Sequence, residues 1–500
     1  MSPLFDRSRV ARVAQLPATP PVQAPSGAAV LSSQGTHPPV FMPAPSLAAS
    51  SSLLNVAMTG GGKTAVLVWL LVWFASRRFV QPSRGLPVHF SVIDRKGDAL
   101  AYTVGLSAQR CPAALDNLRY INIFARHGLP GAVPLNLALA DYGDAPLGLI
   151  GRSLAHLIAR TATAGEVLAA AVGHRIVAAM TALITGVLHA DHPRRSLLWA
   201  IDTLQMPGGE GVQRLAQLIP DEHVRNQILG LGSLPSDVKA GALGRLSVLD
   251  AWDSVAAQLG APTCINFRHL VRNHELLVDL SQAPAGADDV VATFGSLLFE
   301  CLSRALLQHR TANERESVTI LYADEALQLS AALSSVARPL LETGRSFGAA
   351  TWLSAQHLRG LRDLGTTWDA IVSNCPYRLL GKVSAEDARL LSLEQFGSSS
   401  DARAVVLARR LVTLQSREFC LAAPHDVGFF RSPEIDFRAC ERAQLQHADV
   451  IRSAQWALSP QQLPRPVRLW EVGGARAAAP SQSGAFPPPR PARRPRSFLG

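Results

Sequence analysis

Long uninterrupted apolar runs are missing from this 500-residue chain. The most apolar stretch, Ala65 to Ala75, falls short of the ~20 residues needed to cross ~30 Å of hydrocarbon. No membrane span of its own is expected. Cysteine is scarce: six residues, Cys111, Cys264, Cys301, Cys375, Cys420 and Cys440, are widely scattered, and no C-x-x-C occurs. That excludes a zinc ribbon and a disulfide framework and fits a reducing cytosol. The fourteen histidines show no metal-ligand spacing. Met1 to Arg12 is charged with no apolar core behind it, so no signal peptide is expected. Internal repeats are absent as well.

What is present reads as globular: 48% of residues are hydrophobic and 17% charged. The length allows two to four domains. The formal net charge of +10 points to a polyanion partner, nucleic acid above all. Part of that charge lies near the C-terminus, where Arg465, Arg468, Arg476, Arg490, Arg493, Arg494 and Arg496 face only Glu471.

The chain is organised around LLNVAMTGGGKT, Leu53 to Thr64. A short apolar run predicts a buried strand. The glycines that follow let backbone N–H groups turn inward around phosphate oxygens. The apolar run after Thr64 predicts a helix, whose N-terminal dipole adds to an anion site. Strand, glycine loop, Lys-Thr and helix together make a P-loop. Thr59, Gly60, Gly61, Gly62, Lys63 and Thr64 are therefore the expected ATP-binding residues. Lys63 would reach the β and γ phosphates and Thr64 would place its hydroxyl on Mg²⁺. The first glycine of the usual pattern is replaced by Ala57, which is tolerable if its φ stays negative.

Taken in order, residues 1–50 are rich in Pro, Ala and Ser and read as disordered or a linker. Residues 51–137 read as the first part of an α/β ATPase domain, with further strands in VHFSVID and LRYINIF. Residues 138–261 turn alanine- and leucine-rich and read as an all-helical insertion. The α/β pattern returns over 262–459, where HELLVDLS, VTILYADEA and AATWLSAQ read as strands and AIVSNCPYRLLGKV carries one or two more. Residues 460–500 are Pro- and Arg-rich and read as a disordered tail.

ILYADEA is the natural partner of the P-loop. Its apolar residues bury a strand whose end projects Asp324 and Glu325. Asp324 would hold Mg²⁺ through water, and Glu325 would polarise the water that attacks the γ-phosphate. Gln356, at the end of the next strand, would sense the γ-phosphate or position water, or else bond only its own loop. Arg345 lies between these two strands and would act as an arginine finger across a subunit boundary, or else is a surface arginine. Asp94 and Lys96, at the tip of VHFSVID, either lie near the nucleotide or stabilise a turn.

These segments resemble the conjugative type IV secretion coupling-protein family (the TraD/TraG group), within the FtsK–HerA class of P-loop ATPases. TGGGKT, Thr59 to Thr64, is similar to that family's TGSGKT, and IDRKGD, Ile93 to Asp98, to its D-P-K-G box with Arg95 in place of proline. PLNLAL, Pro134 to Leu139, resembles its Asn-Pro-Leu stretch, and LYADEALQL, Leu321 to Leu329, its Walker B strand. GRSFGAATWLSAQHLRGL, from Gly344, and TTWDAIVSNCPYRLLGKVSAEDARLLS, from Thr366, carry the most specific likeness, because no general P-loop rule requires them.

The resemblance implies a RecA-like motor domain with an all-α domain inserted, and a homo-hexameric ring with nucleotide between subunits. It also implies ATP-driven movement of DNA toward a secretion channel, with relaxase and channel components as partners. The family's N-terminal membrane helices have no counterpart here. A cytoplasmic protein recruited to the inner membrane by a partner is therefore expected. The competing expectations are a coupling ATPase for protein substrates, an FtsK/HerA-type DNA pump outside conjugation, and a nucleotide-binding switch with little turnover.

Overall fold

The computed structural model describes residues 28–30, 41–43, 52–80, 87–125, 131–161, 170–284, 286–308, 317–329, 332–398, 400–423, 426–450 and 463–472. Within the N-terminal fifty, β1 (Ala28–Val30) pairs antiparallel with β2 (Phe41–Pro43). The rest of that stretch, and the tail from 473 on, lie outside the described residues.

Among the described residues, the sheet that carries the P-loop has nine strands. They are β3 (Leu53–Val56), β4 (Val88–Asp94), β5 (Leu118–Asn122), β6 (Glu275–Asp279), β7 (Val318–Ala323), β8 (Ala349–Ala355), β9 (Tyr377–Leu380), β10 (Glu418–Ala423) and β11 (Asp426–Arg431). Their spatial order is β11-β10-β9-β3-β8-β7-β4-β6-β5. Strands β3 to β9 pair in parallel, whereas β10 runs antiparallel to both β9 and β11.

Parallel strands are covered on both faces, so their sequences run apolar without a break. The two-residue period then sends neighbouring side chains to opposite layers. Leu53, Phe90, Val92, Tyr322, Trp352 and Leu379 pack against the helices Lys63–Val80 and Asp98–Arg110. Leu54, Ile93, Leu321, Leu353 and Leu380 face the other layer, where Asp288–Leu307 lies. That last helix is long and apolar enough to cross a membrane, but 83% of its apolar window is buried inside the fold. Its one deep carboxylate, Glu300, accepts from Ser153 Oγ at 2.7 Å and Arg304 Nε at 2.5 Å.

Between Leu147 and Leu259 every element among the described residues is a helix or helical turn, and their apolar faces close around Leu154, Met180, Leu183, Trp199, Leu215 and Leu246. The chain enters and leaves this region at one place. Leu135 bridges Cys264, Ile265 N–H donates to Pro134 O at 2.9 Å, and Asn136 Nδ2 donates to Ala261 O at 2.6 Å.

Three local features go beyond the expectations. The stretch AIVSNCPYRLLGKV carries one of the one or two strands expected, and its first part lies in the helix Thr366–Asn374, because Thr367, Ala370 and Ile371 fall on one buried helical face. Only Tyr377–Leu380 of that stretch joins the sheet. The β10–β11 hairpin is an addition on the far edge that no strand expectation covered. Finally, Leu463–Val472 departs from a disordered tail: it packs on the helical region. There Arg468 bridges Asp202 at 2.6 Å and Asp250 at 2.8 Å, and Trp199 Nε1 donates to Val467 O at 2.8 Å.

Candidate functional site at the C-terminal ends of the parallel strands

The loop after β3 is shaped by two left-handed glycines, Gly60 at φ 79° and Gly62 at φ 81°. A side chain at either would strain the turn. Ala57 keeps out of that region, and its partner explains how it replaces a glycine. A Cβ at Gly381, just after β9, would lie 2.6 Å from Ala57 Cβ. The space for one methyl group is thus shared between the two strands, and Gly381 leaves it to Ala57. The loop is pinned on both sides, with Ala57 N–H donating to Ala355 O at 3.2 Å and Met58 N–H to Lys382 O at 2.9 Å.

Lys63 opens the following helix and is buried. Its Nζ donates to Ala57 O at 2.7 Å and Ala355 O at 3.4 Å and lies 3.7 Å from Glu325 Oε1. Burial, partly offset by the Glu325 charge, pulls its pKa below the usual lysine value. Two backbone carbonyls and a distant carboxylate leave the ammonium free to turn to a stronger acceptor. Thr64 Oγ1 donates to Asp324 Oδ2 at 3.2 Å, and Tyr322 OH donates to Asp324 Oδ1 at 2.8 Å. A hydroxyl and a carboxylate side by side are hard oxygen donors suited to Mg²⁺.

Glu325 follows Asp324 in the left-handed region, at φ 52°. Few residues with a Cβ adopt it, and a buried one is held there by its surroundings. Two hydrogen bonds hold its Oε1: Lys96 Nζ donates at 2.6 Å and Gln356 Nε2 at 3.0 Å. Burial alone would raise the Glu325 pKa, but these bonds and the charges of Lys63 and Lys96 keep it below the usual value. Lys96 is raised in turn: the bond to Glu325 and the charges of Glu325, Asp324 and Asp94 outweigh its burial. Gln356 Oε1 accepts from Thr59 Oγ1 at 2.8 Å. A continuous polar path therefore runs from the loop tip through Gln356 to Glu325.

The two residues at the tip of β4 separate into different jobs. Asp94 holds the turn, accepting from Lys96 N–H at 2.9 Å and Ala99 N–H at 2.7 Å. Burial and then the nearby Asp324 charge push its pKa up to about 7. Lys96 reaches into the site. Arg345 does not. It is exposed in the turn Gly344–Phe347 before β8, whereas Gln356 directly follows that strand. At the rise of an extended chain, the seven residues of β8 set the two ends roughly 20 Å apart.

The segment before β10 also contributes, and no sequence pattern announced it. Ser416 Oγ donates to Gly60 O at 3.5 Å. Arg417 is left-handed at φ 67°, and a Cβ at Gly62 would meet its Cγ at 3.8 Å.

No model of a known protein family matches the sequence, and no curated protein matches it. Solved structures do. The plasmid coupling protein TrwB bound to GDPNP, a non-hydrolysable GTP analogue, superposes at a TM-score of 0.52 with 12% identity, over 87% of this chain and 94% of that one. TrwB with ADP and Mg²⁺ matches to the same extent. VirB4 of Thermoanaerobacter pseudethanolicus gives a TM-score of 0.55 with 15% identity, over 84% of this chain and 99% of that one. The likeness to conjugative coupling proteins read from the sequence therefore holds in three dimensions: this chain has the fold of TrwB and VirB4, a RecA-like P-loop sheet of mostly parallel strands joined to an all-helical region.

Proposed function

We propose that this chain is an ATP-hydrolysing motor that moves DNA, with bound relaxase, toward a type IV secretion channel. The observation that carries the reading is the convergence of Lys63, Thr64, Asp324, Glu325 and Gln356 at one edge of the sheet. TrwB, of the same fold, has been captured with ADP and Mg²⁺ and with non-hydrolysable ATP and GTP analogues.

The loop N–H groups and Lys63 bind the phosphates of ATP. Thr64 and Asp324 would hold Mg²⁺, which would supply neutralising charge to the phosphates when bound. Glu325, ionised and aimed by Lys96 and Gln356, takes the proton of the attacking water. Gln356 sits where it reports to Thr59 on the loop. Assembly into a homo-hexameric ring places Arg345, too far away to serve its own site, against the site of a neighbour. The protein works on the cytoplasmic side and reaches the inner membrane through a partner.

DNA is favoured as cargo by the net charge of +10, and binding should be sequence-tolerant and fall steeply with salt. The deciding measurement is ATPase activity of the full chain with and without single- and double-stranded DNA. Stimulation by DNA, lost in Glu325→Gln, supports the motor. ATPase indifferent to DNA at low salt favours a protein-coupling ATPase instead.

A further inference from the structure

Sequence expectations place the cations of the site on Lys63, on a neighbouring subunit's arginine and, as one of two readings, on Lys96. The chain itself brings another one to the loop. We infer that Arg417 is a nucleotide-binding residue acting within its own subunit, on the α- and β-phosphate end of the ligand rather than on the γ-phosphate. The inference rests on the reading of the site as an ATPase and adds the residue that flanks its other side.

Three observations converge. The first is strand order. Asp324 and Glu325 follow β7, which lies two places from β3 on one side, and Arg417 precedes β10, two places away on the other. Strand β10 runs antiparallel to β9, so its start lies at the same edge of the sheet as the ends of β3 and β9. A nucleotide whose γ-phosphate lies toward Glu325 must extend its other end toward Arg417. The second is contact. The Arg417 stem lies over Gly62, with its Cγ 3.8 Å from where a Cβ would stand, and Ser416 reaches Gly60 O. A guanidinium is only two bonds beyond Cγ along the chain, within reach of oxygens cradled by the same loop. The third is backbone conformation. Arg417 holds φ 67° in a short turn and is fixed there by Ser432 N–H donating to its carbonyl at 2.8 Å. A β-substituted residue in the left-handed region is uncommon.

The guanidinium is also held in reserve. It pairs with Glu434 Oε2 at 3.1 Å, and that carboxylate is 82% exposed. An exposed ion pair is weak, whereas a guanidinium bonded to phosphate makes charge-assisted, bidentate contacts. The nucleotide therefore competes with Glu434 for Arg417.

Calorimetric titration of the full chain with ADP and with a non-hydrolysable ATP analogue, both with Mg²⁺, tests this. Arg417→Gly suits the backbone and removes only the side chain. It should weaken both ligands by about the same factor, on the order of tenfold. Arg417→Lys should recover part of the loss, which a purely structural role of the turn would not allow. Glu434→Gln should tighten both ligands a few-fold by releasing the guanidinium, and this exposed change also serves if Arg417→Gly unfolds. Wild-type affinity in Arg417→Gly, a loss confined to the ATP analogue, or weaker binding in Glu434→Gln would each overturn the assignment. If the wild type binds neither ligand better than Lys63→Ala does, the ATPase reading itself falls, and this inference with it.

Discussion

The two flanks of β3 are built on different principles. Toward β8, β7 and β4 the sheet is parallel, and each strand ends in a polar residue that meets the next: Gln356, Asp324 with Glu325, and Lys96 beyond Asp94. Beyond β9, at β10 and β11, it turns antiparallel, and the loop is met there by the start of a strand, through the Ser416 hydroxyl on Gly60 O and the Arg417 stem over Gly62. A parallel sheet delivers only strand ends to one edge, so its site residues follow apolar runs. An antiparallel strand delivers its beginning to that same edge. The first flank carries acids and their holders, suited to a metal and a water. The second carries a cation, suited to phosphate.

The largest effect should come from breaking the first flank. Lys63→Ala should abolish hydrolysis and weaken phosphate binding. Glu325→Gln should still bind ATP, with turnover down by about 10²–10⁴, the usual worth of a positioned base. Single-turnover assays on pure protein check this, and wild-type turnover in Glu325→Gln would remove it as the base.

Next is Arg345, which belongs to neither flank of its own chain. In an assembled ring Arg345→Ala should lower turnover by roughly 10³ with nucleotide affinity nearly unchanged, the behaviour of a transition-state contact. Turnover per subunit should also rise with protein concentration. Mixing Arg345→Ala with Glu325→Gln subunits should restore some activity, because a mixed interface pairs an intact Glu325 with a neighbour's Arg345. If no mixture recovers any, the cross-subunit role fails. Arg359, exposed just beyond Gln356, is then the next candidate.

The difference between the flanks also explains what the sequence could reveal. Apolar runs ending in Asp-Glu or Gln mark strand ends, so β7 and β8 and the polar residues that follow them were readable, whereas their order beside β3 was not. Arg417 was not, because a left-handed arginine between Ser416 and Glu418 has no pattern of its own. The helix around Ile371 was not readable because β-branched residues favour strands until tertiary burial selects one helical face. Lys96 was half readable: its nearness to the site was one of two expectations, but its bond to Glu325 depends on β4 lying beside β7. The docking of Leu463–Val472 was hidden because Arg468 in a Pro-rich segment looks solvated until Asp202 and Asp250 are brought together by the fold.

A smaller effect lies where the flanks meet. Gly381→Ala would put a methyl group on Ala57, and on Phe419, whose ring comes to 3.3 Å. Overpacking of this kind costs about 1–3 kcal/mol. Thermal or urea unfolding should show that loss, along with weaker nucleotide binding as the loop shifts. Adding Ala57→Gly should restore most of both, because the pair competes for one methyl's space. An additive double variant would mean that the methyl contact is not what sets the loop.

The smallest effect should be at Thr59, whose hydroxyl links the loop tip to the carboxylate flank. Its Oγ1 donates to Gln356 Oε1 at 2.8 Å, and Gln356 passes a hydrogen bond to Glu325 at 3.0 Å. The Thr59–Gln356 bond is exposed, so its net worth is about 0.5–1.5 kcal/mol and water can replace part of it. Thr59→Ala should therefore slow turnover only a few-fold while leaving nucleotide affinity close to wild type. Gln356→Ala should do more, because it also takes a hydrogen bond from Glu325. The double variant distinguishes a relay from two separate contacts. If Thr59 acts only through Gln356, the double variant should be no slower than Gln356→Ala alone, a coupling equal to the whole Thr59 effect. If the two losses multiply, Thr59 touches the phosphates directly, and the path from loop tip to carboxylate is a contact in the resting chain rather than part of turnover.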